Sequence, residues 1–264
     1  MWLGFCMLKL LLIFLVKISL YSFEKDIKIY IDKIESIHTK YCSGNFEFDF
    51  FAPDKIFKNE LQKIENDVLI KYKRESVQYN YLNLLMSLVL CDVSYLINDP
   101  YKYNDLIQKL ISNYNYAFEI SFKKNIPSDY FRALGELAIN LIPHDGSRLY
   151  SYFVNGKRHL EEALKRDGNN VRVFIPLSIF YTVRASNRDF YKVLLAKSYI
   201  DKAERVNLND RQKYLLELVK SSFLIRINRR LEAAECLEKA RAIFPNGNMA
   251  IFATEKLKKG NPFY

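Results

Sequence analysis

A large residue three positions ahead of a small alanine recurs along the chain, in Leu160–Ala163, Ile200–Ala203 and Leu237–Ala240, with a weaker copy in Tyr114–Ala117. On a helix, residues three apart share a face, so each pair offers a point of close approach beside a space-filling side chain. The four alanines are spaced 46, 40 and 37 residues apart. Upstream of two of them lies a complementary pattern, Phe131-x-x-Leu134-Gly135-x-x-Ala138 and Phe174-x-x-Leu177-Ser178-x-x-Tyr181. Small residues on one helix facing large ones on the next call for antiparallel helix pairs. A single pair cannot bury its apolar face, so successive pairs must stack. The competing reading is an irregular helical bundle in which the alanine spacing is accidental.

Few residues in the chain interrupt helices. Gly and Pro number only 8 and 7 in 264 residues, too few for a fold of many strands and turns. Helical spacing runs through residues 24–41, from about 54 to 70, then 75–97, 102–122 and 128–142. It continues to Arg166 and over 171–186, 189–206, 210–227, 229–244 and 249–258. Residues 45–52 alternate briefly and read as a short extended segment. The stretch 75–97 is too polar at its start, and broken too soon by Asn98-Asp99-Pro100, to span a membrane.

Residues 1–23 lack acidic side chains. Lys9 leads into the apolar run Leu10–Val16, and Lys17 follows it. This is the pattern of an export signal over residues 1–22, cleaved near Ser22, with an uncleaved anchor as the alternative. The expected organisation is therefore a signal or anchor over 1–22, a helical segment over 23–73, helical repeats over 74–258 and a tail over 259–264. The location that follows is periplasmic or secreted, or membrane-anchored if the segment stays. The formal charge of +10 is spread along the helices with acids between, without a run of five basic residues, so a nucleic-acid partner is not expected. Membrane contact is expected only through an uncleaved N-terminal segment. Beyond that segment Cys42, Cys91 and Cys236 remain, an odd number without close spacing, which fits neither a disulfide framework nor a zinc site. Cys91 and Cys236 fall on apolar faces. Cys42, at a helix end, is the most exposed to reaction of the three.

Ala233, Leu237, Ala240 and Pro245 on one helix, with Phe131, Leu134 and Gly135 on another, resemble the repeat of the tetratricopeptide (TPR) family. The resemblance covers about residues 75–246. It departs from the family pattern in its longer period, in Gly168 and Leu208 where the terminal proline belongs, and in an insertion near 143–151. In layout and in the ending Glu162-Ala163-Leu164-x-x-Asp167 the chain also looks faintly like the periplasmic TPR-like T component of TRAP-type transporters. The resemblance implies an all-α fold of stacked antiparallel pairs, an α-solenoid with an extra N-terminal helical segment. It further implies that the first helix of each pair lines a concave groove. Counting from Phe131 and Phe174, the groove positions are Asp129, Arg132, Glu136, Ile139 and Asn140, then Arg172, Ile175, Ile179 and Thr182. Arg132 and Arg172 would hold a carboxylate through forked bonds, and Asn140 and Thr182 would orient a peptide backbone.

Chemical motifs are sparse. His38, His144 and His159 lack metal-ligand spacing, and no phosphate loop or nucleophile elbow is present, so no metal and no cofactor are expected. His144-Asp145 reads as a solvated loop pair rather than a base with its orienting acid. The function expected is a non-enzymatic scaffold that binds a protein or peptide partner in the cell envelope. One alternative is an accessory of a periplasmic solute transport system with a small ligand in a closed pocket. A helical cell-wall hydrolase using Glu136 is a more distant one.

Overall fold

In the computed structural model, residues 25–44, 55–94, 99–185 and 189–262 are described. The 1–22 segment, the alternating stretch 45–52 and residues 186–188 lie outside them. Among the described residues the chain is all-helical. It runs as α1 (residues 25–43), α2 (Lys55–Lys71), α3 (Val77–Ser94), α4 (Pro100–Ile120), α5 (Ser128–Leu141) and α6 (Leu149–Arg166). Then come α7 (Phe174–Arg184), α8 (Phe190–Glu204), α9 (Asp210–Arg226), α10 (Arg230–Ile243) and α11 (Asn248–Lys258). Short 3₁₀ turns at Gly146–Arg148 and Val171–Val173 lead into α6 and α7.

The helix ends follow from local chemistry. Asp99 caps α4, accepting the Tyr101 and Lys102 amides, and Pro100 starts the helix where its missing N–H costs nothing. Asp189 caps α8 through the Lys192 amide. Asn209 and Gln212 form a reciprocal capping box at α9. Asn125 and Asn228, both at positive φ, turn the chain after α4 and α9.

Four antiparallel pairs follow one another: α3 with α4, α5 with α6, α7 with α8, and α9 with α10. Neighbouring pairs join through their first helices, α3 on α5, α5 on α7 and α7 on α9. Each second helix also touches the next first helix, as α4 does α5, α6 does α7 and α8 does α9. Apolar side chains from Ile27 to Ala253 form one continuous core. The helix α3 is buried around nearly its whole circumference, which explains why its sequence is apolar on every side. By contrast α6 buries only Tyr152, Gly156, His159, Leu160 and Ala163, one stripe at helical spacing.

The small residues sit where the pairs close. Gly135, Ala163, Ser178, Ala203 and Ala240 are all buried. The tightest crossing is between α5 and α6, where Gly135 meets Gly156. A methyl group on Gly135 would stand 2.8 Å from the Gly156 carbonyl oxygen and 2.8 Å from Leu160 Cγ. The insertion at 143–151 carries chain between these two helices without separating them. At the start of α6, Tyr152 is buried, Phe153 half-buried, and Leu149 and Tyr150 exposed. Cys42, the readiest of the three thiols to react by its place in the sequence though not expected to be reactive, is fully buried, and burial pushes its thiol far above the ordinary range.

Replacing a mid-helix glycine by alanine ordinarily gains up to about 1 kcal/mol of helix propensity. At Gly135 the clash outweighs that gain, since overpacking a tight site costs roughly 1–3 kcal/mol. Gly135→Ala should therefore lower the unfolding free energy in a urea titration. Gly168→Ala, where the nearest atom to a new methyl lies 3.9 Å away, should leave it within about 0.5 kcal/mol.

Candidate functional site

The first helices α3, α5, α7 and α9 present a face that α1 packs against, and residues of all five helices line one cleft. Ile27, Ile34, Ile37 and Tyr41 give α1 a buried apolar stripe. Polar bonds pin α1 at both ends of the array. Toward the first pair, His38 Nε2 lies 2.6 Å from Asp92 Oδ2, and the Tyr41 hydroxyl donates to the Asp92 carbonyl at 2.8 Å. Toward the last, Glu35 Oε1 accepts from Arg211 Nη2 and Asn209 Nδ2, each at 3.1 Å. The chain leaves α1 through Gly44 at φ +68, where an added Cβ would fall 1.9 Å from the Asn246 carbonyl oxygen.

Between α1 and the inner helices a small cleft stays open. Ile31, Ile34, Glu35 and His38 form one wall. Arg132 and Glu136 of α5, Arg172, Ile175 and Pro176 at the start of α7, and Arg211, Gln212 and Leu215 of α9 form the other. Its volume is about 50 Å³. Drug-sized and cofactor pockets run to roughly 300–1,000 Å³, so this space admits a side-chain-sized group and not a whole metabolite.

Its charges alternate and are largely matched. Arg132 makes a forked bond to Asp129, Nε to Oδ1 at 2.8 Å and Nη2 to Oδ2 at 2.9 Å, and donates Nη1 to Glu136 at 2.5 Å. The Tyr81 hydroxyl also donates to Asp129, and Asn170 ties the same corner to Ser128. Burial by itself would raise the Asp129 pKa, but the Arg132 fork, with Arg172 behind it, holds the carboxyl well below its usual range. Glu35 behaves alike: burial opposes ionisation, yet Arg211 and Asn209 bring its pKa down to about 2. Two donors retain capacity. Arg211 Nε is buried without an acceptor, and Arg172, whose side chain is half exposed, reaches Asp129 only at 3.8 Å.

Of the groove positions counted from the sequence, Arg132, Glu136, Arg172 and Ile175 line this cleft, and Asp129 anchors Arg132 from behind. Ile139, Ile179 and Thr182 are buried farther along α5 and α7. Asn140 is half-buried, and its carbonyl accepts from Cys91 Sγ at 3.7 Å. Sequence counting missed the whole contribution of α1 and α9. The signal for α9 was present: taking Tyr214 as the aromatic and applying the offsets used for Phe174 gives Gln212 and Leu215, both on the cleft wall. His144 instead meets the Tyr103 hydroxyl at 2.5 Å, while Asp145 takes the Ser147 and Tyr152 hydroxyls. Among the described residues no group of three or more His, Cys, Asp or Glu is placed to hold a metal ion, and no helix is long and apolar enough to cross a membrane. No family model, curated protein or solved structure matches the chain.

The Glu35–Arg211 link has a pH signature. A carboxyl whose folded pKa is depressed stabilises above its unfolded value and loses that contribution as pH falls toward its folded value. With Glu35 at about 2, its share, roughly 1–3 kcal/mol after allowance for partial exposure, should disappear between about pH 5 and 2. Glu35→Gln should flatten that part of a stability-versus-pH curve. His159 lies between Phe118 and Phe131, and burial lowers its pKa to about 4, so its contribution is lost earlier, from about pH 6.5 to 4. His159→Phe should flatten that higher window and leave the lower one in place.

Proposed function

We propose that the protein is an exported, non-enzymatic scaffold whose stacked pairs form a TPR-like solenoid, and that it engages a protein or peptide partner at the mouth of the cleft beside α1. One observation carries this reading: the cleft is open, lined by fixed charges, and too small for anything but the tip of a larger ligand. A partner's carboxylate entering there meets the half-exposed Arg172 guanidinium at the surface. Ile31, Ile175 and Leu215 around the rim supply apolar contact for the neighbouring residues of that partner.

The same geometry weighs against the other readings. An accessory that encloses a small solute needs a larger cavity than about 50 Å³. For a hydrolase, Glu136 would have to present a free carboxyl to a substrate, and it is already bound to Arg132. The first helices also pack against an amphipathic helix of this very chain, which fits a surface built for polypeptide recognition.

Arg172 is the position to test, because Arg132 is built into the fold through Asp129 and Glu136. Arg172→Ala should change stability by no more than about 0.5 kcal/mol. In the cell envelope, photo-cross-linking from position 212 should trap a polypeptide with the wild-type chain, and Arg172→Ala should cut its yield about tenfold, the loss of one good charge-assisted contact. Equal yields from both chains would dispose of the reading.

A further inference from the structure

The second helix of every pair exposes a large apolar side chain at the same place, the second residue of the helix. These are Tyr101 on α4 (84% exposed), Tyr150 on α6 (79%), Tyr191 on α8 (69%) and Leu231 on α10 (85%). The pairs are hairpins that pack in sequence through their first helices, and each of these first turns opens the second arm of a hairpin. The second residue of a helix carries no packing duty here, so burial does not explain a large apolar group four times over. At the two central tips the exposed apolar surface extends to Leu149 and Phe190. Each tip also carries a cation beside its apolar residue: Lys102, Arg148, Lys192 and Arg230 respectively.

We propose that these four hairpin tips lie along one edge of the array and form a membrane-docking surface, which sets the tip residues into the interfacial layer of an anionic bilayer while the adjacent cations meet lipid headgroups. A folded protein partner would need a contiguous patch with a fully buried centre, whereas these side chains stand on separate hairpins. A bilayer accepts each tip independently, and their weak affinities combine. Tyrosine suits the interface, with an apolar ring and a polar hydroxyl. The charges agree with an anionic surface. The acids near the tips are committed locally, Asp99 to capping α4, Asp189 to Lys192 and Glu232 to Arg229. The Glu232–Arg229 pair is exposed and the Asp189–Lys192 pair about one-third exposed, and ion pairs so open to water are weak and exchange for phosphate. Docking of this kind lies in the plane of the membrane and needs no spanning helix.

The test is flotation of the full-length chain with phosphatidylcholine vesicles, with and without phosphatidylglycerol. Wild type should float with the phosphatidylglycerol vesicles and release as salt is raised. Tyr150→Ser combined with Phe190→Ser and Tyr191→Ser should weaken partitioning by about tenfold or more, with an unchanged thermal melt. Lys192→Ala with Arg148→Ala should weaken binding only to the anionic vesicles. Equal flotation of wild type and the triple variant would overturn the proposal and assign any lipid binding to residues 10–16. Equal binding to neutral and anionic vesicles would overturn it too. So would sedimentation velocity showing that wild type self-associates and the triple variant does not, since the edge would then belong to a second copy of the chain.

Discussion

The packing of α1 across the first helices of the four pairs is the contact on which the rest of the arrangement depends. Four stacked pairs leave the inner faces of α3, α5, α7 and α9 in need of cover, and α1 supplies it with Ile27, Ile34, Ile37 and Tyr41. A purely apolar plug could slide or rotate. The bonds from His38 and Tyr41 to Asp92, and from Glu35 to Arg211 and Asn209, fix its register at both ends. Cover and register together define the cleft, because what α1 leaves uncovered is the corner where Arg132, Arg172 and Arg211 meet their carboxylates.

That corner shows why buried charge is tolerated here. Removing one member of such a network strands its partner away from water, which is far costlier than the network is favourable. Each carboxylate therefore has at least one short bond from a guanidinium, and Asp129 has two. The polar set acts less as a source of stability than as a means of holding one geometry. Stability comes from the continuous apolar core and from close crossings such as that of Gly135 with Gly156.

Much of the fold could be read from residue spacing, for a physical reason. Helices bounded by Asp99-Pro100, Pro127-Ser128 or Asn209 carry their own start signals, and their boundaries fall within a few residues of expectation. The alanines and Gly135 were legible because close helix contact leaves no choice of side chain. The cleft was only half legible. Offsets within a pair locate Arg132 and Arg172, because they depend on one helix's geometry. That Glu35 meets Arg211 depends on how the four pairs pack on one another and on α1, and no local pattern encodes that arrangement. Cys42 misled for the same reason: a helix-end position suggests exposure until another part of the chain covers it.

The span of the α1 contacts bears on how the molecule unfolds. Glu35 and its partners Asn209 and Arg211 lie 174 and 176 residues apart. A plain row of stacked pairs is quasi-one-dimensional and can fray from either end, each unit leaning only on its neighbours. A helix fastened to both the first and the last pair turns that row into a closed ring of dependencies. Loss of either end then loosens the other, and melting becomes a single concerted event instead of a stepwise unzipping. Closure over so long a span is also slow, and during synthesis α1 emerges first yet must wait for α9 before its seat exists.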